Sequence, residues 1–155
     1  MTSKPTTATE PKQTVTPYLT VRNGAAAIDF YKNVFGAIEE YRLVDPDGRI
    51  AHADLKIGQT AIMLSDEHSE IDVLGPESRG GTTVGLHISV DDADSVFANA
   101  ISAGAKSIRP VADQFYGERS GTLTDPFGHR WFIASRKEEV SPEEVRRRYE
   151  ELIKQ

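Results

Sequence analysis

The sequence contains no cysteine, which excludes disulfide bridges, thiolate chemistry and metal sites built on sulfur. It has no apolar run long enough to span a bilayer, and residues 1–13 lack the apolar centre of a signal peptide. The formal net charge of −6 argues against a nucleic-acid partner, because phosphate binding requires clustered Lys and Arg. We therefore predict a cytoplasmic protein that binds neither a membrane nor a nucleic acid.

Two stretches of the chain share one pattern. Pro17–Ala37 and Gly85–Ala105 each contain an alternating strand that ends in Val, a polar turn, a helix rich in Ala and a Gly-Ala exit. Three further strand-like runs follow each stretch. We therefore predict an α+β fold with two βαβββ modules, at about residues 14–68 and 82–136.

The segments outside the modules differ from them in composition. Residues 1–13 offer nothing to bury and are predicted to be disordered. Residues 66–81 link the modules, and their length is typical of a mobile flap over a site. In residues 137–155, Ser141-Pro142-Glu143-Glu144 combines a capping box with Pro at the first helical position. This motif predicts a C-terminal helix outside the 14–136 domain.

Several motifs identify a family that this chain resembles. They are IAHADLKIG (Ile50–Gly58), IMLSDE (Ile62–Glu67) and QFYGERSGTLTDPFGHRW (Gln114–Trp131). With these motifs the chain resembles the vicinal oxygen chelate superfamily of glyoxalase I, fosfomycin and bleomycin resistance proteins and extradiol dioxygenases, and above all its PhnB-like branch. The resemblance implies that the modules form a cleft between curved sheets, with metal ligands on the cleft face.

The resemblance also implies four metal-ligand positions, none of which carries a usual ligand in this chain. They fall on Thr16, Met63, Gly85 and Phe132. These residues offer neither imidazole nitrogen nor carboxylate oxygen, the donors that such metals prefer. We predict that the usual metal site is absent and that no cofactor is bound, although His52 and His87 leave a non-standard divalent metal site open.

Alternation along the strands indicates which other side chains share the cleft surface. His52 lies on the polar face of its strand, while Tyr116 and Arg119 flank Gly117, where a ligand can approach the backbone closely. The same alternation places Leu86 and Ile88 under the helices. The candidate ligand-binding residues are Tyr18, His52, Met63, His87, Tyr116, Arg119, Arg130 and Phe132.

Each candidate also has a structural interpretation that the sequence leaves open. His52 and His87 are the candidate catalytic residues, but either imidazole can simply bond a neighbouring strand or carboxylate. Arg119 can instead form an ion pair with a carboxylate that stabilises the β-hairpin. For Asp92, which precedes a helix, capping is the expected role rather than metal binding.

The sequence is compatible with two functions from different classes. The first is a module that binds a small organic molecule in a metal-free cleft. The second is a metal-dependent glyoxalase-type lyase or isomerase, or a dioxygenase, that uses His52 and His87 as ligands or as acid and base. In either case we expect a homodimer, because the paired modules leave strand edges and an apolar helix stripe to cover.

Overall fold

The computed structural model describes residues 12–155, which contain eight strands and four α-helices. The first module comprises β1 (Tyr18–Val21), α1 (Gly24–Phe35), β2 (Ile38–Val44), β3 (Ile50–Ile57) and β4 (Thr60–Asp66). The second comprises β5 (Gly85–Ser89), α3 (Ala93–Ser102), β6 (Lys106–Asp113), β7 (Glu118–Thr124) and β8 (Arg130–Arg136). The linker contains a 3-10 turn (Ser69–Ile71) and α2 (Pro76–Arg79), and α4 (Pro142–Ile153) ends the chain.

The helix ends follow from the capping residues in the sequence. Asn23 accepts a hydrogen bond from the backbone N–H of Ala26, and Gly36 ends α1 with a φ of 68° that favours glycine. Asp92 caps α3 through the N–H of Ser95, which is the role expected of it. The predicted disordered leader, residues 1–13, lies outside the described residues except for its last two positions.

Both sheets have the same topology. The strand orders are β1-β4-β3-β2 and β5-β8-β7-β6, and in each sheet the first strand runs parallel to the fourth. This arrangement confirms the α+β fold with two βαβββ modules and a C-terminal helix. Within residues 12–155, no helix has both the length and the apolar character needed to cross a membrane.

The two modules pack against each other through their helical sides. The hydroxyl of Tyr31, on α1, donates a hydrogen bond to the buried Asp125 of the second module at 2.6 Å. The indole N–H of Trp131 donates to the same carboxylate oxygen at 2.9 Å, and the ring of Phe35 lies 4.3 Å from that of Trp131. A shared core therefore lies between the sheets, and the opposite face of each sheet is turned away from it.

Candidate functional site

The first open face is the surface of the first sheet opposite α1, and four aligned residues cross it. Tyr18 on β1 lies beside Met63 on β4, which lies beside Asp54 on β3, which lies beside Tyr41 on β2. Intervening residues such as Leu64 point the other way and are buried in the core. The alternation of the strands thus separates a solvent-facing row from the packed side of the sheet.

A hydrogen-bonded chain lies along this open face. The Tyr18 hydroxyl is 2.7 Å from Nδ1 of His52, and Nε2 of His52 is 2.7 Å from Oδ1 of Asp54. Tyr41 stacks on the imidazole, with ring centres 5.9 Å apart. Loss of hydration raises the pKa of Tyr41, and the neighbouring Asp54 carboxylate raises it further. Both ring nitrogens of His52 are therefore engaged, and the Tyr18 hydroxyl ends the chain on the solvent side.

The second open face is the surface of the second sheet opposite α3. His87 lies on it and is 49% exposed at its side chain, with Nε2 at 3.3 Å from Oε2 of Glu118. Phe132, on β8, is the cross-strand neighbour of His87, and the exposed Arg130 lies two residues earlier on the same face. A polar pocket of about 400 Å³ is lined by Glu118 and Arg136, among other residues.

The residues at the implied metal-ligand positions do not fit a metal. A Cβ built on Gly85 would overlap the Phe132 ring, so two of these positions are packed against each other. Met63 supplies only a thioether, and His52 already uses both ring nitrogens. In the part of the chain that the structure describes, no three His, Asp or Glu residues are grouped so that they could hold a metal ion.

Arg119, predicted as a ligand contact because it flanks Gly117, does not lie on the second open face. It points to the helical side of β7 and donates two hydrogen bonds to Asp94 on α3, at 2.7 and 2.9 Å. A third hydrogen bond goes to Asp113 at 3.1 Å. Its side chain is thus used in an ion-pair network, because residues 118 and 119 necessarily face opposite sides of one strand.

The structure divides the remaining candidates between the two open faces and a turn. Tyr18, His52 and Met63 lie on the first open face, whereas His87, Arg130 and Phe132 lie on the second. Tyr116 lies in the β6–β7 turn, with its exposed ring against Phe115 at 5.1 Å. Because both open faces turn away from the shared core, one chain does not bring these two groups of residues together.

An apolar groove at the seam between the modules was not predicted from the sequence. Its volume is about 580 Å³, and the residues that line it include Phe35, Ile57, Ile62, Leu86, Ile88 and Trp131. Leu86 and Ile88, predicted to be core residues, are only half-buried because they face this groove. The groove arises from the way the modules pack, and alternation within a strand carries no signal of that packing.

Comparison with known proteins agrees with this fold. The family model of the Glyoxalase/Bleomycin resistance protein/Dioxygenase superfamily matches residues 12–133. An uncharacterised protein of Mycobacterium bovis is 39% identical over 134 residues, which cover 84% of this chain and 88% of that protein.

Solved structures show the same architecture. TioX from Micromonospora sp. ML1 is 25% identical, with a TM-score of 0.60 over 83% of this chain and 100% of TioX. A PhnB protein from Bacillus cereus is 18% identical, with a TM-score of 0.63 over 79% of this chain and 99% of that one, which supports the fold alone. The chain belongs to the glyoxalase, bleomycin resistance protein and dioxygenase superfamily, as its family match shows, and it has PhnB-like structural neighbours.

Proposed function

We propose that this chain binds a small organic molecule on its open sheet faces, without the metal that the superfamily commonly uses. The observation that carries the proposal is the row of Tyr18, Met63, Asp54 and Tyr41 across the first open face. Aromatic surface combined with a few oriented polar groups is typical of small-molecule sites. The net charge of −6 disfavours an anionic ligand through long-range repulsion and raises the local concentration of a cationic one, so a neutral or cationic ligand is expected.

A homodimer is part of this proposal. Each open face is an exposed sheet surface with two strand edges, and large apolar side chains such as Leu43 and Phe132 lie on the sheets in contact with solvent. A cleft arises when the first open face of one chain meets the second open face of another. That arrangement would unite Tyr18 and His52 with His87 across the dimer. The cytoplasmic location expected from the sequence belongs to the same proposal.

The superfamily is compatible with both candidate functions, because its name joins bleomycin resistance proteins to glyoxalases and dioxygenases. The alternative, a metal-dependent lyase, isomerase or dioxygenase using His52 and His87, has less support. Both ring nitrogens of His52 are already hydrogen-bonded, which leaves none for a metal ion.

The binding proposal is tested by screening neutral and cationic aromatic compounds for an increase in melting temperature. A compound that binds the proposed cleft should lose its effect in Tyr41→Ala and in Phe132→Ala, which remove aromatic surface from the two open faces. Tyr149→Ala, on α4, is the matched control and should keep the full shift. Equal shifts in all three variants would place the ligand elsewhere.

A mixed dimer separates the two ways of building the cleft. Chains carrying Tyr41→Ala and chains carrying Phe132→Ala are given different tags, combined, and purified as heterodimers. If each cleft takes one open face from each chain, one of the two clefts contains both substitutions and the other contains neither. The heterodimer should then bind half as many ligand molecules as the wild-type dimer. If each cleft were built from one chain, the heterodimer would bind none.

A further inference from the structure

We infer that Tyr18, His52 and Asp54 form a metal-free acid–base relay, with the Tyr18 hydroxyl as the end that meets a bound molecule. The two hydrogen bonds that join them are each 2.7 Å long. This inference goes beyond ligand binding, because it assigns the first open face a proton-transfer activity.

The order of the three groups determines the direction of the relay. A carboxylate accepts the N–H of the facing ring nitrogen, so Asp54 holds the proton of neutral His52 on Nε2. Nδ1 is then left with its lone pair directed at the Tyr18 hydroxyl. The three groups are arranged in the order carboxylate, imidazole and hydroxyl, which is the order found where an oriented base activates a nucleophile.

The exposure of the three side chains favours the hydroxyl as the reactive end. Tyr18 is 51% exposed, whereas the side chains of His52 and Asp54 are only 23% and 29% exposed. Tyr41 covers the imidazole from β2 and Met63 lies beside Asp54 from β4. A molecule on this face therefore reaches the Tyr18 oxygen more readily than it reaches the atoms behind it.

The charged groups around the relay are few. Apart from Asp54, the first open face has an ion pair between Lys56 and Glu40, whose charged atoms are 3.5 Å apart. Because these two charges are opposite and close together, their combined electrostatic effect on the relay is small. The Asp54 carboxylate is thus the charge that stabilises a protonated His52 during the transfer.

The proposed step moves one proton and changes no oxidation state. As the Tyr18 oxygen takes a proton from a bound molecule, its own hydroxyl proton passes to Nδ1 of His52. The bound molecule becomes an anion and His52 becomes an imidazolium that is paired with Asp54. The fitting substrate class is a molecule with an acidic proton, such as a C–H beside a carbonyl or an enol hydroxyl.

An electrophilic probe tests the relay without knowledge of the natural ligand. With 4-nitrophenyl acetate, the Tyr18 oxygen attacks the ester carbonyl, 4-nitrophenolate leaves, and His52 takes the phenol proton. Acetylation of individual tyrosines is followed by peptide mass spectrometry. Tyr149 is the internal control, because its exposure of 52% matches the 51% of Tyr18 and its nearest ring partner is Phe115 rather than an imidazole.

We expect Tyr18 to be acetylated about tenfold or more faster than Tyr149 near neutral pH. An unassisted phenol becomes reactive only towards about pH 10, so acetylation of Tyr18 well below that pH would report the assistance of a base. In His52→Gln, the amide can still bond the hydroxyl but cannot take its proton. Tyr18 should then react at the rate and with the pH dependence of Tyr149.

Two outcomes would overturn the inference. Equal rates for Tyr18 and Tyr149 in the wild-type protein would show that the hydrogen bonds are structural only. Undiminished 4-nitrophenolate release in Tyr18→Phe that falls in His52→Gln would show that His52 itself attacks the ester and that Tyr18 is not the end of a relay. Circular dichroism of each variant establishes that a lost rate does not come from unfolding.

Discussion

The ring of Phe132 covers the backbone at Gly85, so that no side chain fits at position 85 without displacing the ring. Both positions are among those where the resemblance to the superfamily implied metal ligands. In the second module, two of these positions therefore form an apolar contact between neighbouring strands. Such a contact is in keeping with the proposed binding of an organic molecule rather than an ion.

The contact between these two residues predicts strong energetic coupling. Gly85→Ala should lower the free energy of unfolding by about 1–3 kcal/mol, because the new methyl group overpacks the site. In a Phe132→Ala background the same substitution should cost roughly 1 kcal/mol less, since the ring is gone. Urea unfolding of the four proteins measures this difference. Additive effects would show that the ring does not occupy the space at Gly85.

The hydrogen bond from Tyr31 to Asp125 predicts a pH dependence of stability. Burial raises the pKa of Tyr31 well above its ordinary value, and the adjacent carboxylate raises it further. The folded state thus keeps a proton that the unfolded chain loses above about pH 10, so stability should fall as pH rises through that region. Tyr31→Phe should lose less stability than the wild type between about pH 9 and 11. Identical slopes of unfolding free energy against pH in the two proteins would contradict this role of Tyr31.

The two faces of the second sheet should respond differently to truncation. His87→Ala should cost less than about 1 kcal/mol, because His87 is half-exposed and pairs with Glu118 near solvent. Ile133→Ala should cost about 2–5 kcal/mol, because Ile133 is fully buried on the opposite face. Thermal and urea unfolding measure both effects. The reverse order would mean that the register of the sheet is shifted by one residue.

The dimer proposal predicts a particle twice the size of the chain. Light scattering at micromolar concentration should give a mass twice the 17.1 kDa of one chain. Tyr41→Ala should not raise the dimer affinity. The Tyr41 ring is exposed in one chain and would be buried when the two faces meet, so its loss can only weaken the association or leave it unchanged. A stable monomer across this concentration range would contradict the proposed cleft.

The sequence predicted the elements well because local signals specify them. Asn23 and Gly36 mark the ends of α1 in the sequence, and both act as caps in the structure. The alternation in β3 placed His52 on the polar face of the strand, and in the structure His52 lies on the open face while its neighbour Ala53 is buried. Such features depend on residues within a few positions of one another, which a single sequence contains.

Other features depend on how distant elements pack, and the sequence could not supply them. Arg119 was predicted to contact a ligand because it lies near Gly117. Its side chain alternates with that of Glu118 along β7, however, and therefore lies on the helical side of the sheet. The relay joining Tyr18 to His52 spans two strands that are not adjacent in the sheet. Its third member, Asp54, carries no sequence signal that distinguishes a relay member from an ordinary surface carboxylate. The packing of the modules through Tyr31 and Asp125 likewise has no local signature.

The most direct test of the central claim is the metal content of protein purified without chelator. Elemental analysis should find far less than one Zn, Ni, Mn or Fe per chain, because Met63, Gly85 and Phe132 provide no donors that hold such an ion. Adding these metals should leave the melting temperature unchanged, since an ion that binds the folded state would raise it. One equivalent of metal per chain, lost completely in His87→Ala, would contradict the metal-free site and favour the metal-dependent enzyme.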